Sequence, residues 1–206
     1  MATKITKLDG VNIILSNIGQ APVTSLATLN PAAKLAEQIL DEISLSTQAE
    51  GWVFNTEQDY PFTPNDDKEI LIPSNVLALD FVSFGDKNTV QRSGKLYDKR
   101  NHTYQFDDVV YGKVTWLFDF VDLPEVFKNY IAMRSANVFA NRSVGSNEIV
   151  KYSKEEEQIA RAAIMEYETQ QGDYNMLNDR EVRSFIHIYH TTLLRGNNGS
   201  NITTNT

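Results

Sequence analysis

Apolar side chains in the first fifty residues recur at steps of three and four, which is the period of amphipathic helices. The first stripe predicts a helix over about residues 8–18, ended by Gly19 in a left-handed conformation. A second helix follows, with Asn30 placed to cap its N-terminus and Pro31 in its first turn. Residues 1–7 precede the first stripe and are expected to be loose.

Beyond the second helix the pattern changes to short runs that are rich in β-branched and aromatic residues. The predicted strands cover residues 52–55, 69–72, 76–84, 95–97, 103–106 and 113–120. Turn signals separate these runs, among them Pro61 and the pair Ser93 and Gly94. Strands at this spacing, without helices between them, predict an antiparallel sheet or a small sandwich.

Helical periodicity returns in the second half of the chain. Asp122 is placed to cap a helix, with Pro124 in the first turn and Glu125 completing a capping box. Ser153 and Glu156 predict the start of another helix in the same way. The stripe of the first helix consists of Val126, Phe127, Tyr130, Ile131, Arg134, Ser135, Val138 and Phe139. The stripe of the second consists of Ile159, Ala160, Ala163, Ile164 and Tyr167.

The order of helices, strands and helices predicts an α+β fold rather than a parallel α/β sheet. We expect a helical bundle formed by the N- and C-terminal helices, with an inserted antiparallel β lobe and an extended C-terminal tail. The predicted divisions are the first helices at 1–51, the β insertion at 52–121, the last helices at 122–177 and the tail at 178–206. Within the tail, a short amphipathic helix is predicted to carry Val182, Phe185, Ile186, Tyr189 and Leu193 on one face, before a flexible end.

Composition limits the classes of function. The net charge of −8 and the pI of about 4.9 argue against sequence-independent binding of DNA, which requires a basic face to neutralise phosphates. The absence of cysteine excludes disulfides and thiolate zinc sites. No charged and apolar leader opens the sequence, and no apolar run approaches the ~18–20 residues that span a bilayer. We therefore expect a product made in the cytoplasm, without membrane insertion.

The titratable residues offer few candidates for catalysis or metal binding. His187 and His190 are three residues apart and form at most half of a metal site, since no zinc motif surrounds them. A glycosidase needs two carboxylates facing one cleft; the candidates are Asp107, Asp108, Asp119, Asp122 and Glu125. Helix capping already accounts for the last two, and adjacent residues of a strand point to opposite faces. We predict no catalytic residue, no metal site and no cofactor.

Four blocks of the sequence together resemble a known family. They are residues 8–23 (LDGVNIILSNIGQAPV), the run from 36 that closes on GWVFN at 51–55, residues 123–146 (LPEVFKNYIAMRSANVFANRSVGS) and residues 155–177 (EEEQIARAAIMEYETQQGDYNML). In this order they look like the tail tubular protein A family of short-tailed phages, podoviruses of the autographivirus type. Leu96, Tyr97, Asp98, Phe106 and Asp107 are weaker echoes within the β insertion.

The resemblance implies a structural virion protein and not an enzyme. Members of this family form a ring of twelve copies, the head-tail adaptor or gatekeeper, between the portal protein and the tail nozzle protein, in contact with tail fibre protein. Genomic DNA would pass through the channel during ejection without specific binding, and the acidic net charge suits a wall along which DNA slides.

The aromatic and apolar residues at the C-terminal end are the predicted contacts with the portal or with a neighbouring subunit. They are Tyr174, Asn175, Met176, Leu177, Phe185, Ile186 and Tyr189. Two alternatives remain open at this point. One is a tail-associated glycan hydrolase using the carboxylates above, and the other is a different head-tail connector or completion protein.

Overall fold

The computed structural model describes residues 4–27, 30–81, 89–143 and 147–172, with the side chains of the last helix described from Lys154 onward. The helices are α1 (Lys7–Asn17), α2 (Pro31–Gln48), α3 (Glu125–Ser143) and α4 (Asn147–Gly172). The strands are β1 (Thr56–Phe62), β2 (Val76–Asp80), β3 (Thr89–Arg92), β4 (Lys95–Asp98) and β5 (Val110–Trp116). The α+β class is confirmed. Residues 1–168 form one compact unit and residues 169–206 a second.

The first helix begins earlier and more firmly than the sequence suggests. The Thr6 hydroxyl accepts from the Asp9 N–H at 3.2 Å, and the Asp9 carboxylate accepts from the Thr6 N–H at 2.9 Å. This is a complete capping box. The Ile5 N–H donates to Glu125 Oε2 at 3.0 Å, at the start of α3. The expectation that residues 1–7 are loose is therefore wrong for Ile5 and Thr6. Gly19 does adopt the predicted left-handed conformation, with φ of 73°.

The predicted start of α2 is confirmed. Asn30 Oδ1 accepts from the N–H of Ala32 at 2.9 Å and of Ala33 at 3.4 Å, and Pro31 opens the helix. Because these N–H groups have no partner within the helix, the asparagine side chain supplies the acceptors that they lack.

The starts of α3 and α4 differ from the prediction. Asp122 closes a 3₁₀ turn, Phe120–Asp122, instead of capping α3. Glu125 accepts from Ile5 and from Lys128 Nζ at 2.9 Å, so its carboxylate serves a tertiary contact rather than a capping box. Ser153 lies inside α4, which begins at Asn147. For α3, the glutamate of the predicted capping box is thus used in a tertiary contact.

The part of the chain between α2 and α3 forms two antiparallel sheets. The first has the order β1-β5-β2, and the second is the β3-β4 hairpin. Ser93 and Gly94 form the two-residue turn of this hairpin. Both have a positive φ, which a turn needs if its twist is to match that of the two strands. Isolated bridges extend the pairing beyond the strands: Leu71 pairs with Lys95 of β4, and Glu69 pairs with Gln105.

The predicted strands need correction at several places: the strand predicted over 113–120 runs from Val110 to Trp116, and β3 was not predicted. Residues 53–55 form a 3₁₀ turn, and the strand begins only at Thr56. Residues 69–72 and 103–106 contribute isolated bridges instead of full strands. β1 was missed because Pro61 reads as a turn; an edge strand tolerates proline, since one side of its backbone needs no partner. Asp59, with φ of 54°, adds a bulge to the same strand.

Helices from both ends of the chain share one hydrophobic cluster, the helical core. Its fully buried residues come from all four helices and include Val11, Ile14, Leu15, Ile39, Leu40, Phe127, Ile131 and Ile164. Gly10 allows α1 to pack closely on α2, because a Cβ added there would meet Leu40 Cδ2 at 3.2 Å and Phe120 at 3.4 Å. Burial on α3 extends beyond the predicted stripe to Lys128, Ala132, Ala136 and Asn137.

The strands enclose a second cluster, the β core. Its buried residues are Phe62, Ile70, Ile72, Leu96, Phe106, Val110, Val114 and Trp116. Phe118 is half-buried and packs against both clusters. The strand region thus has apolar contacts of its own, which meet the helical core at the end of β5.

Side-chain amides join the end of α2 to the end of β5. Gln48 is fully buried; its Oε1 accepts from the Phe118 N–H at 2.8 Å, and its Nε2 donates to the Phe118 carbonyl at 3.0 Å. Asn55 Nδ2 donates to the carbonyls of Gln48 and Trp116 at 2.9 and 2.8 Å, and its Oδ1 accepts from the Trp52 N–H. We call Gln48 and Asn55 the amide clasp. It gives backbone groups at the junction between helix and strand side-chain partners within the protein.

Ion pairs brace the helices around this clasp. Arg161 of α4 forms a bidentate pair with Glu50 and lies 4.8 Å from the ring centre of Trp52. Glu168 accepts from the Val53 N–H at 2.9 Å, and Arg142 pairs with Glu42 through both terminal nitrogens.

In the described part of the chain, no helix is both long and apolar enough to cross a membrane.

Replacing Gln48 by alanine tests the amide clasp. The variant removes a fully buried side chain and leaves the N–H and carbonyl of the half-buried Phe118 without their side-chain partner, so we expect the free energy of unfolding to fall by about 2–4 kcal/mol. Gln38, exposed on the same helix, provides the matched control, and Gln38→Ala should change it by less than about 0.5 kcal/mol. Urea unfolding followed by circular dichroism measures both; equal losses would contradict the clasp.

Acid should weaken the contact between Ile5 and α3. The N–H of Ile5, and then Lys128, lower the pKa of Glu125 below its ordinary value of 4.5. A carboxylate with a depressed pKa stabilises the fold above its unfolded-state pKa, and this contribution is lost as the pH falls through the folded-state pKa. Glu125→Gln should therefore reduce the loss of stability below about pH 4.5. Urea unfolding across this pH range measures the free energy of unfolding, with Glu57→Gln at an exposed site as control. Identical pH profiles for wild type and Glu125→Gln would contradict a stabilising role of the Glu125 carboxylate.

Candidate functional site

One face of the β3-β4 hairpin is partly exposed and carries side chains typical of contact surfaces. The register pairs Arg92 with Lys95 and Val90 with Tyr97, so these four side chains share a face. The opposite face contributes Leu96, fully buried, to the β core. We call the outward side the hairpin face; Leu71, which is 57% exposed, and Tyr104 extend it.

Aromatic contacts fix the centre of the hairpin face. The rings of Tyr97 and Tyr104 are 4.8 Å apart, and the Arg92 guanidinium lies 4.2 Å from the centre of the Tyr97 ring. Stacking orders the guanidinium while its N–H groups stay at the surface. In the described part of the chain, no carboxylate lies within ion-pair distance of Arg92. Lys95, by contrast, pairs with Glu69.

A buried aspartate builds the turn that presents Tyr104. Asp98 Oδ1 accepts from the backbone N–H groups of Arg100 and Asn101 at 2.8 and 3.2 Å. Its backbone exchanges hydrogen bonds with Thr103. This turn holds His102 at a φ of 54°, 3.5 Å from the Tyr97 hydroxyl. The residues that echo the family in the β insertion therefore have separate tasks: Leu96 packs, Tyr97 faces out and Asp98 shapes the turn.

The outward side of α4 is a second exposed surface. Ile159 is 72% exposed and Met165 49% exposed, although the sequence predicts Ile159 in the core. Glu155, Ile159 and Ala162 follow at steps of four and three, so they line one side of the helix, and all three are exposed. Ala160 and Ile164 form the buried side, as predicted, whereas Ala163 of the same predicted stripe is exposed. We call the exposed side the α4 face.

The sequence-predicted contact residues lie outside the part of the chain that the structure describes. They are Tyr174, Asn175, Met176, Leu177, Phe185, Ile186 and Tyr189, and the same holds for His187 and His190. Their role in binding stays a prediction.

The predicted carboxylate candidates are engaged in local contacts or exposed. Asp107 pairs with Lys68 at 2.7 Å, which lowers the pKa of this carboxyl. The pKa of Glu125 is lowered too, whereas a general acid in glycoside hydrolysis needs a raised one. A cleft of about 150 Å³ between α1, α3 and α4 includes Glu156 as its carboxylate. Among the described residues, no cluster of three or more His, Cys, Asp and Glu side chains could hold a metal ion.

Comparison with known proteins defines the class of this protein. A family model described as tail tubular protein matches residues 8–174. Tail tubular protein A of Klebsiella phage KP34 is 30% identical over 162 residues, which cover 78% of this chain and 86% of the relative. The matches place the chain among the structural proteins of phage virions. More particularly, it belongs to the tail tubular protein family, and it is a component of the virion tail. The resemblance seen in the sequence is confirmed.

Sequence reasoning missed both exposed surfaces. Ile159 fits an apolar stripe by spacing, and only its neighbours Glu155 and Ala162 signal an outward position. The hairpin face has a clearer signal, because Val90, Arg92, Lys95 and Tyr97 alternate with the inward residues around the turn at Ser93.

Proposed function

We propose that this chain is the subunit of a head-tail adaptor, a closed ring of twelve copies that joins the portal protein to the tail nozzle protein. The observation that carries the proposal is the family match over residues 8–174, together with the relative from phage KP34. Tail fibre protein is the further partner that we propose, and the role is mechanical rather than enzymatic.

The structure supports this role with two unlike exposed surfaces on one chain. A ring of identical subunits requires contacts in which one surface meets a different surface of the next copy. The hairpin face is basic and aromatic, and the α4 face is acidic and apolar. We propose that the helices from both ends form a bundle with an inserted β lobe, and that the tail at 178–206 extends toward the portal.

The net charge supports passage of DNA without binding. A chain with a charge of −8 gives a dodecamer an acidic surface, along which phosphates are repelled instead of held. Genomic DNA would then slide through the channel during ejection. The same charge favours solubility of the subunit before assembly.

Electron microscopy of negatively stained protein tests the ring. The purified chain at high concentration, alone and with the cognate portal protein, should give rings with a central channel or portal particles with an added lower tier. Native mass spectrometry counts the copies, and we expect twelve. Monomers that never decorate the portal would overturn the adaptor and favour another connector.

Deletion of residues 178–206 tests the proposed role of the tail. The deletion removes a segment outside the 8–174 region that matches the family, so we expect the chain to fold with unchanged circular dichroism and to lose portal binding. Co-sedimentation with portal protein on a gradient measures the loss. Full-length protein with Phe185→Ala and Tyr189→Ala should show the same defect without a deletion. Unchanged binding in both variants would reject a portal contact through the tail.

A further inference from the structure

We propose that, within the ring, the hairpin face of one copy packs against the α4 face of the next, with Arg92 paired to Glu155. This inference rests on the proposed function and names the two surfaces that close the ring. In the described part of a single copy, Arg92 and Leu71 of the hairpin face are exposed and Tyr97 is half-buried, while Glu155, Ile159 and Ala162 of the α4 face are exposed.

The hairpin face has the composition of an interface centre. Tyrosine and arginine are enriched among the residues that dominate binding energy, particularly where neighbouring contacts exclude water. Tyr97 and Tyr104 are held by their mutual contact, and Leu71 adds an apolar margin. Because Arg92 is already ordered on the Tyr97 ring, less conformational entropy is lost when a partner carboxylate binds it.

The α4 face supplies a carboxylate for the guanidinium of the hairpin face and apolar side chains for its aromatic rings. Glu155 lies one helical turn before Ile159, so a carboxylate and a large apolar side chain are neighbours about 5–6 Å apart. Ala162 follows on the same side and leaves room for an aromatic ring. On the hairpin face the Arg92 guanidinium lies 4.2 Å from the centre of the Tyr97 ring, which in turn lies 4.8 Å from the Tyr104 ring. Charge would thus meet opposite charge while aromatic rings meet apolar side chains.

This pairing has the symmetry that a ring needs. Contact between two identical faces would produce a closed dimer and stop assembly, whereas contact between unlike faces leaves each copy with one of each free. Like charges also oppose the identical pairings, since Arg92 would meet Arg92 and Glu155 would meet Glu155.

A charge exchange tests the contact. Arg92→Glu and Glu155→Arg should each raise the concentration required for half-assembly by about tenfold or more, as expected for an interfacial charge pair turned repulsive. The double variant, which restores opposite charges, should recover most of the loss. Lys113→Glu makes the same reversal of charge at an exposed lysine of β5, outside the hairpin face, and should assemble like wild type. Sedimentation velocity at two salt concentrations measures assembly of the four variants and of the wild type.

Cross-linking provides a measurement that does not depend on affinity. The chain contains no cysteine, so Tyr104→Cys together with Ile159→Cys introduces the only thiols. A short bismaleimide should then link copies into a ladder that ends at the ring, while either single cysteine should give no ladder.

The outcomes separate this contact from the proposed ring. Wild-type rings with unaffected charge variants and no ladder would overturn the pairing and leave the adaptor intact. Rings that persist in Arg92→Glu while nozzle or fibre binding is lost would assign the hairpin face to another protein and also overturn it. Wild type that forms no ring with or without portal would overturn both proposals.

Discussion

The amide clasp is the interaction on which the rest of the structure depends. Gln48 and Asn55 bind the backbone of Phe118 and Trp116 at the point where the helical core and the β core meet. Hydrogen bonds suit this place, since the backbone there leaves one sheet and has not yet entered a helix, and buried N–H and carbonyl groups must find partners. Trp52 packs on Phe127 beside it. The GWVFN block is therefore a structural joint.

The sequence predicts the helices well, because burial of one side imposes a period that a single chain reveals. It does not reveal which polar group a side chain will bind. Asp122 and Glu125 have the spacing of a capping box, but Ile5, distant by 120 residues in the chain, takes the Glu125 carboxylate. The strand β1 was missed for a related reason: whether Pro61 ends a strand depends on whether that strand lies at an edge, which is a property of the sheet.

The candidate surfaces show the same division between local and tertiary information. The sequence shows a turn at Ser93 and Gly94, but the strand before it, and the side that Arg92 and Tyr97 share, follow from the observed register. Only packing shows that this side faces outward, because the β core covers Leu96 on the other. For Ile159 the spacing was misleading: Arg161 binds Glu50 and Trp52, which sets the rotation of α4 and turns Ile159 to the surface.

The separation of the two cores has a consequence for how this protein changes over generations. Substitutions on the strands are accommodated by contacts among Phe62, Ile70, Leu96 and Val114, without repacking the helices. Exchange of the whole strand region for that of a relative would therefore require that the incoming segment end in backbone that Gln48 and Asn55 can bind. The outer surface of the strands lies away from both cores, so the substitutions that it tolerates are limited by the contact proposed for the hairpin face and not by internal packing.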